Sequence, residues 1–138
     1  MLEEWLAGVL DFNGSISIRL GKVQLQPYVA IYSRKRNYLE WLREMYPNFS
    51  RPANISKNLF MIQIVSIRGT YDLLSSVLPH LNILREIARK VVRFCEMRLN
   101  HINTTYDLAE LQLVQEIVKL TSRPSSLPQR LAVIEQWL

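Results

Sequence analysis

Apolar positions near the start of the chain recur at helical spacing. Leu2, Trp5, Leu6, Val9 and Leu10 mark a helix over residues 2–11, with Ala7 and Gly8 as a strip of small side chains. Gly14 ends that helix. Residues 15–20 then alternate strictly, apolar at even and polar at odd positions, as a half-buried strand does. Gly21-Lys22 reads as a turn. Residues 24–34 alternate again, with Leu25, Val29 and Ile31 on one face and Gln24, Gln26, Tyr28, Tyr32 and Arg34 on the other. A helix is predicted over 37–46, with Leu39, Leu42 and Met45 inward and Pro47 as its stop. A weaker strand over 49–56 is broken by Pro52 and is expected at an edge. Asn58 falls in a turn, and residues 59–67 form a strand with Phe60, Ile62 and Ile64 inward.

Helices are then predicted over 70–78, 81–99, 106–121 (capped by Thr104 or Thr105) and 129–138, the last after a linker at 123–128. Two hairpins separated by a helix make one antiparallel four-stranded sheet with helices on one face. This is an α+β architecture with an αββαββα core over 1–100 and a C-terminal helical extension of the same domain over 101–138. The opposite sheet face would present Ser15, Ser17, Arg19, Gln24, Gln26, Tyr28, Tyr32, Arg34, Met61 and Gln63. Arg and Lys pair with guanine edges and phosphates, and Gln pairs with adenine, so such a face can read a duplex groove.

Charge sharpens this picture. The chain of 138 residues carries +5 overall, from 17 basic and 12 acidic side chains. Residues 12–68 hold nine Lys or Arg and only two acids, Glu40 and Glu44, whereas the rest holds eight basic and ten acidic. A field of one sign over half a chain suits a polyanionic partner, or equally a basic face that aids solubility. The single cysteine, Cys95, excludes an internal disulfide and a multi-cysteine zinc site. His80 and His101 lack a neighbouring metal motif and read as structural or surface residues. No apolar run reaches the roughly 18 residues that span a bilayer. The acidic start does not read as a secretory signal, so an intracellular location without membrane attachment is expected.

The stretch "LAGVLDFNG", residues 6–14, resembles the motif of the LAGLIDADG homing endonucleases. Leu6, Ala7, Gly8, Asp11 and Gly14 match letter for letter, Val9 and Leu10 are chemically similar, and the following "SISI" resembles that family's first strand. In the family, two motif helices pack at a two-fold axis. One motif therefore implies a homodimer, an interface through Leu6, Ala7, Gly8, Leu10 and Asp11, and a near-palindromic double-stranded DNA target. The resemblance also implies metal-dependent phosphodiester hydrolysis. The residue before the last glycine of the motif would hold Mg²⁺ or another divalent cation.

That residue is Asn13 in this chain. An amide oxygen is a neutral and weaker ligand than a carboxylate. Either aspartate is the natural residue and has been replaced, or the chain is naturally a non-cleaving binder. The family also places a lysine early in the helix after the second hairpin. Arg85 stands near that position, and its permanent charge makes it a poor proton shuttle. Ser33, Arg34, Lys35 and Arg36 could order water or clamp the backbone, or form a plain solvated turn. Arg19 and Gln26 are expected to read bases and Lys57 to hold phosphate, with Lys22 among the DNA-binding residues. The function expected is that of an intron- or intein-associated DNA endonuclease, weak or inactive as written. The alternatives are an RNA-splicing maturase or DNA-binding regulator on the same scaffold, and an αβ domain for a small molecule or a protein.

Overall fold

The computed structural model describes residues 2–21, 23–101 and 105–137. The helix α1 (Leu2–Asn13) runs without a loop into the strand β1 (Gly14–Leu20), which turns back into β2 (Leu25–Ser33). Register pairs Gly14 with Ile31 and Leu20 with Leu25. The turn closes as the Gly21 N–H donates to the Gln24 carbonyl at 3.1 Å. After α2 (Arg36–Met45) come β3 (Ala53–Ser56) and β4 (Leu59–Ile64). Asn58 makes their turn at φ 61°, a left-handed conformation that asparagine tolerates. The sheet order is β1-β2-β4-β3 with every pair antiparallel, so the four-stranded α+β architecture is observed. Pro52 shortens the predicted 49–56 strand to four residues and leaves it at the edge.

Four helices follow: α3 (Ile67–Val77), α4 (Arg85–Leu99), α5 (Leu108–Thr121) and α6 (Leu127–Glu135). Helix α3 starts three residues before its predicted start because Ser66 caps it, its Oγ accepting the Gly69 N–H at 3.0 Å. Helix α4 starts later than predicted. Residues Leu78–His80 form a 3-10 turn, and the amides of Asn82 and Leu84 are taken by Asp11. Helix α5 is capped by Asp107 in a reciprocal box with Glu110, rather than by Thr105. The other predicted cap, Thr104, lies outside the described residues.

The core lies between the sheet and the helices. Leu6 and Leu10 of α1, Ile16 and Ile18 of β1, Val29 and Ile31 of β2, and Ile62 and Ile64 of β4 meet Leu39, Leu74, Val77 and Val91 there. Cys95 joins them, and burial pushes its thiol up to about 12, so it packs as a small apolar group. Helix α5 packs on α4 and along β1. Arg130 of α6 donates to the Ile18 carbonyl at 3.3 Å, and the Leu25 N–H donates to the Tyr106 hydroxyl at 2.8 Å. Among the described residues no helix is long and apolar enough to cross a membrane.

The α1–β1 junction depends on Gly14, where a Cβ would lie 2.7 Å from the Leu10 carbonyl oxygen and 2.8 Å from its Cα. Both are backbone atoms that cannot swing aside. Gly14→Ala is therefore expected to cost about 2–3 kcal/mol in urea denaturation. A loss below about 0.5 kcal/mol, the scatter of ordinary surface changes, would mean that the junction relaxes freely.

Candidate nucleic-acid interface

Strand alternation decides which side chains leave the core. Ser15, Ser17 and Arg19 lie opposite Ala30, Tyr28 and Gln26 on the outward face, continued by Gln63 opposite Ala30 and Met61 opposite Tyr32. These side chains organise one another. The Arg19 guanidinium lies 4.6 Å from the Tyr28 ring centroid and donates to Gln63 Oε1. Ser15 Oγ sits 3.5 Å from the Tyr28 hydroxyl. Burial, reinforced by Tyr28, raises the Tyr32 phenol above its ordinary value, so it stays a neutral hydrogen-bonding group at physiological pH. A forked cation held on an aromatic face and on an amide is already ordered for planar recognition of a base edge or phosphate.

Ser17 departs from the expectation. It is buried, and its Oγ donates to Thr121 Oγ1 at 2.9 Å, because the end of α5 reaches that point of β1. It therefore belongs to the packing of α5 and is withdrawn from a ligand. Gln24, Arg34, Lys35, Arg36 and Lys57 are exposed around the sheet, and Gln26 is half-buried on it. Arg36 pairs with Glu40 at 3.1 Å, one turn along α2. The Lys35 N–H donates to Ser33 Oγ at 3.0 Å, fixing the turn into α2. Lys22 lies outside the described residues.

The end of α1 places Asn13 exposed beside this face, one residue before β1 begins. Asp11 faces inward to the chain. Its Oδ2 accepts the Asn82 N–H at 2.9 Å and its Oδ1 the Leu84 N–H at 3.0 Å. That bond pair sets the start of α4 and so the position of Arg85, whose Nη2 donates to the Pro79 carbonyl at 2.8 Å. The carboxylate nearest in sequence to Asn13 is thus spent on backbone amides, and Asn13 offers only a neutral amide. This donor set does not suit Mg²⁺, which favours carboxylate oxygen.

The expected interface through α1 needs correction. Leu6, Ala7 and Leu10 are 0 % exposed and fill the chain's own core, so no partner can touch them. Asp11 is committed to its own chain as well. The open side of α1 carries Trp5, Gly8, Val9, Phe12 and Asn13. Phe12 is 83 % exposed and Trp5 37 %. The seven-residue interval from Trp5 to Phe12 was the available signal, an aromatic stripe on the side away from Leu6 and Leu10. A Cβ built on Gly8 meets nothing within 4 Å.

No family model and no curated protein matches the sequence. Solved structures match it along nearly its whole length. The homing endonuclease I-TnaI superimposes with a TM-score of 0.76 at 16 % identity, over 99 % of this chain and 97 % of that one. An archaeal intron-encoded homing endonuclease, I-Vdi141I, complexed with DNA, gives 0.72 at 19 % identity, over 99 % and 96 %. The LAGLIDADG homing endonuclease I-SmaMI, bound to cleaved DNA, gives 0.75 at 14 % identity, over 99 % of this chain and 48 % of its own. The fold is that of the LAGLIDADG homing endonucleases. This chain spans about half of I-SmaMI and almost all of I-TnaI, so it amounts to one LAGLIDADG fold unit.

Ser17→Ala is expected to lower stability by about 1 kcal/mol, the worth of one partly buried hydrogen bond. In a double-mutant cycle with Thr121→Val, most of that loss should be shared between the two positions. Independent, additive losses would show that the two hydroxyls do not act together.

Proposed function

We propose that this chain is a LAGLIDADG-type protein that binds near-palindromic double-stranded DNA as a homodimer, and that as written it does not cut it. The observation that carries this reading is the ordered polar sheet face. Arg19, Tyr28 and Gln63 form one unit there, on the sheet whose first strand continues directly from the exposed end of α1. Basic side chains at its margins (Arg34, Lys35, Lys57) supply phosphate attraction, while Arg19, Gln26 and Gln63 supply base contacts. Binding would then fall steeply with added salt.

The dimer reading rests on α1. Its open side presents Trp5, Val9 and Phe12 around Gly8, the one position without a side chain. The space above Gly8 lets a second α1 approach closely, and a stripe that meets its own copy gives the two-fold contact a palindromic site requires. Gly8→Leu should leave the protomer folded, since a Cβ there meets nothing within 4 Å and a helix interior favours leucine over glycine. It should abolish the dimer in sedimentation velocity. A Gly8→Leu protein that stays dimeric at low micromolar concentration would remove α1 from the interface.

Cleavage would need a hard oxygen ligand where Asn13 now stands. If Asn13 replaces an aspartate, the chain is a silenced endonuclease. If Asn13 is natural, it is a binder of DNA or of structured RNA on the same scaffold. Incubating the chain and its Asn13→Asp variant with a randomised duplex library and Mg²⁺ separates these readings. Cutting by the aspartate variant alone, at one near-palindromic site, is the expected result. Cutting by neither, with binding retained by both, would assign the chain to the binders. Cutting by the Asn13 form itself would overturn the proposal that this residue silences it.

A further inference from the structure

A second cluster lies away from α1, where the end of α4 meets the start of α5. Glu110 is 0 % exposed. Its Oε1 accepts the Asp107 N–H at 2.9 Å, and Asp107 Oδ1 accepts the Glu110 N–H at 2.8 Å. His101 stands between the two acids, with Nδ1 3.0 Å from Glu110 Oε1 and Nε2 3.3 Å from Asp107 Oδ2. Nδ1 is buried and has no hydrogen-bond partner. One donor atom from each of the three side chains lies within 4.8 Å of the others. Among the described residues this is the only such group of three or more His, Cys, Asp or Glu.

We propose that His101, Asp107 and Glu110 bind a divalent transition-metal ion of the zinc class. Two ligand atoms about 2.1 Å from one ion stand about 3.0 Å apart at a right angle and about 3.4 Å apart at a tetrahedral one. The Nδ1–Oε1 distance of 3.0 Å falls in that interval although the atoms form no hydrogen bond. An imidazole nitrogen this close to a carboxylate oxygen is favourable only with a proton or a metal ion between them, and the off-line approach that forms no hydrogen bond suits an ion bound by both atoms. Charge also favours one. Of the two carboxylates, Glu110 meets a permanent cation, Arg98, whose Nη1 reaches its Oε2 at 3.2 Å and Oε1 at 3.4 Å, while Asp107, among the described residues, has only His101 beside it. Arg98 is held in turn by the Thr105 carbonyl at 2.8 Å and by the Tyr106 ring at 4.3 Å. It can keep Oε2 while the ion takes Oε1, as an outer partner that orients a ligand. One imidazole with two carboxylates suits Zn²⁺ or Co²⁺ better than Mg²⁺, and three protein ligands leave a position for water. The ion would join α4 to α5, a structural role independent of the DNA reading.

The test uses the full chain, stripped by chelation and titrated with Zn²⁺ against a chromophoric chelator. The expected result is one ion per chain, with a raised melting temperature. His101→Ala and Asp107→Asn, the latter keeping a capping side chain, should each weaken binding at least about tenfold, the loss that even outer-shell partners cause. Asn13→Ala should bind as tightly as the parent, which separates this site from the end of α1. Absence of saturable binding, or binding untouched by His101→Ala, would overturn the proposal and leave an ion-pair cluster only. Should His101→Ala fail to fold, X-ray absorption on the Co²⁺-loaded parent decides. Imidazole nitrogen in the first shell supports the site, and a shell of oxygen alone refutes it.

Discussion

The functional geometry depends on the missing loop between α1 and β1. A helix that becomes a strand within one residue must bring its last turn against the new strand's first residue, and only Gly14 lets Leu10 come that close. The sharp junction fixes the angle between α1 and the sheet, so Phe12 and Asn13 are held at the rim of the outward face. Asp11 completes the constraint from the other side. Its two oxygens hold two amides ahead of α4, tying the end of α1 to a segment more than seventy residues away. Charge-assisted bonds of this kind are among the stronger ones.

On the sheet, ordering and charge act together. Arg19 would lose much rotamer freedom if it had to be fixed only on meeting a ligand. Stacking on Tyr28 and bonding to Gln63 remove part of that freedom beforehand. Arg36 is partly neutralised by Glu40, so the margin of the face has cations of unequal strength. The exposed Arg36–Glu40 pair adds little to stability, and its effect is to blunt one charge among several.

Most of the fold was legible in the chain because period two and period 3.6 are strong local signals. The sheet, its outward face and the edge position of β3 follow from alternation and from Pro52, whereas the place of β1 at the other edge does not. What failed was whatever one segment does to another. Ser15 and Ser17 read alike, yet only Ser17 is covered, because the end of α5 arrives from a hundred residues away. Apolar residues occur on two sides of α1. The interval from Trp5 to Phe12 separates those two sides, but periodicity alone does not say that the side of Leu6, Ala7 and Leu10 is the one that meets the chain's own core. The His101 cluster depends on how α4 and α5 meet, which no spacing announces. Asp107 and Glu110 are different, since an acid followed three residues later by Glu is a local capping signature that was there to be read.

The sheet's two margins also restrict how this protein can associate. At β1, Arg130 occupies the Ile18 carbonyl and α5 lies alongside. At the other margin β3 is four residues long, follows Pro52, is exposed throughout and has an irregular register between Asn54 and Ser56. Neither offers the long, flat row of amides and carbonyls on which a foreign strand could dock and propagate. Self-association by strand addition is therefore disfavoured at both ends of the sheet. A protein with exposed aromatic side chains on α1 can then keep that sticky surface without a route to open-ended fibrous assembly.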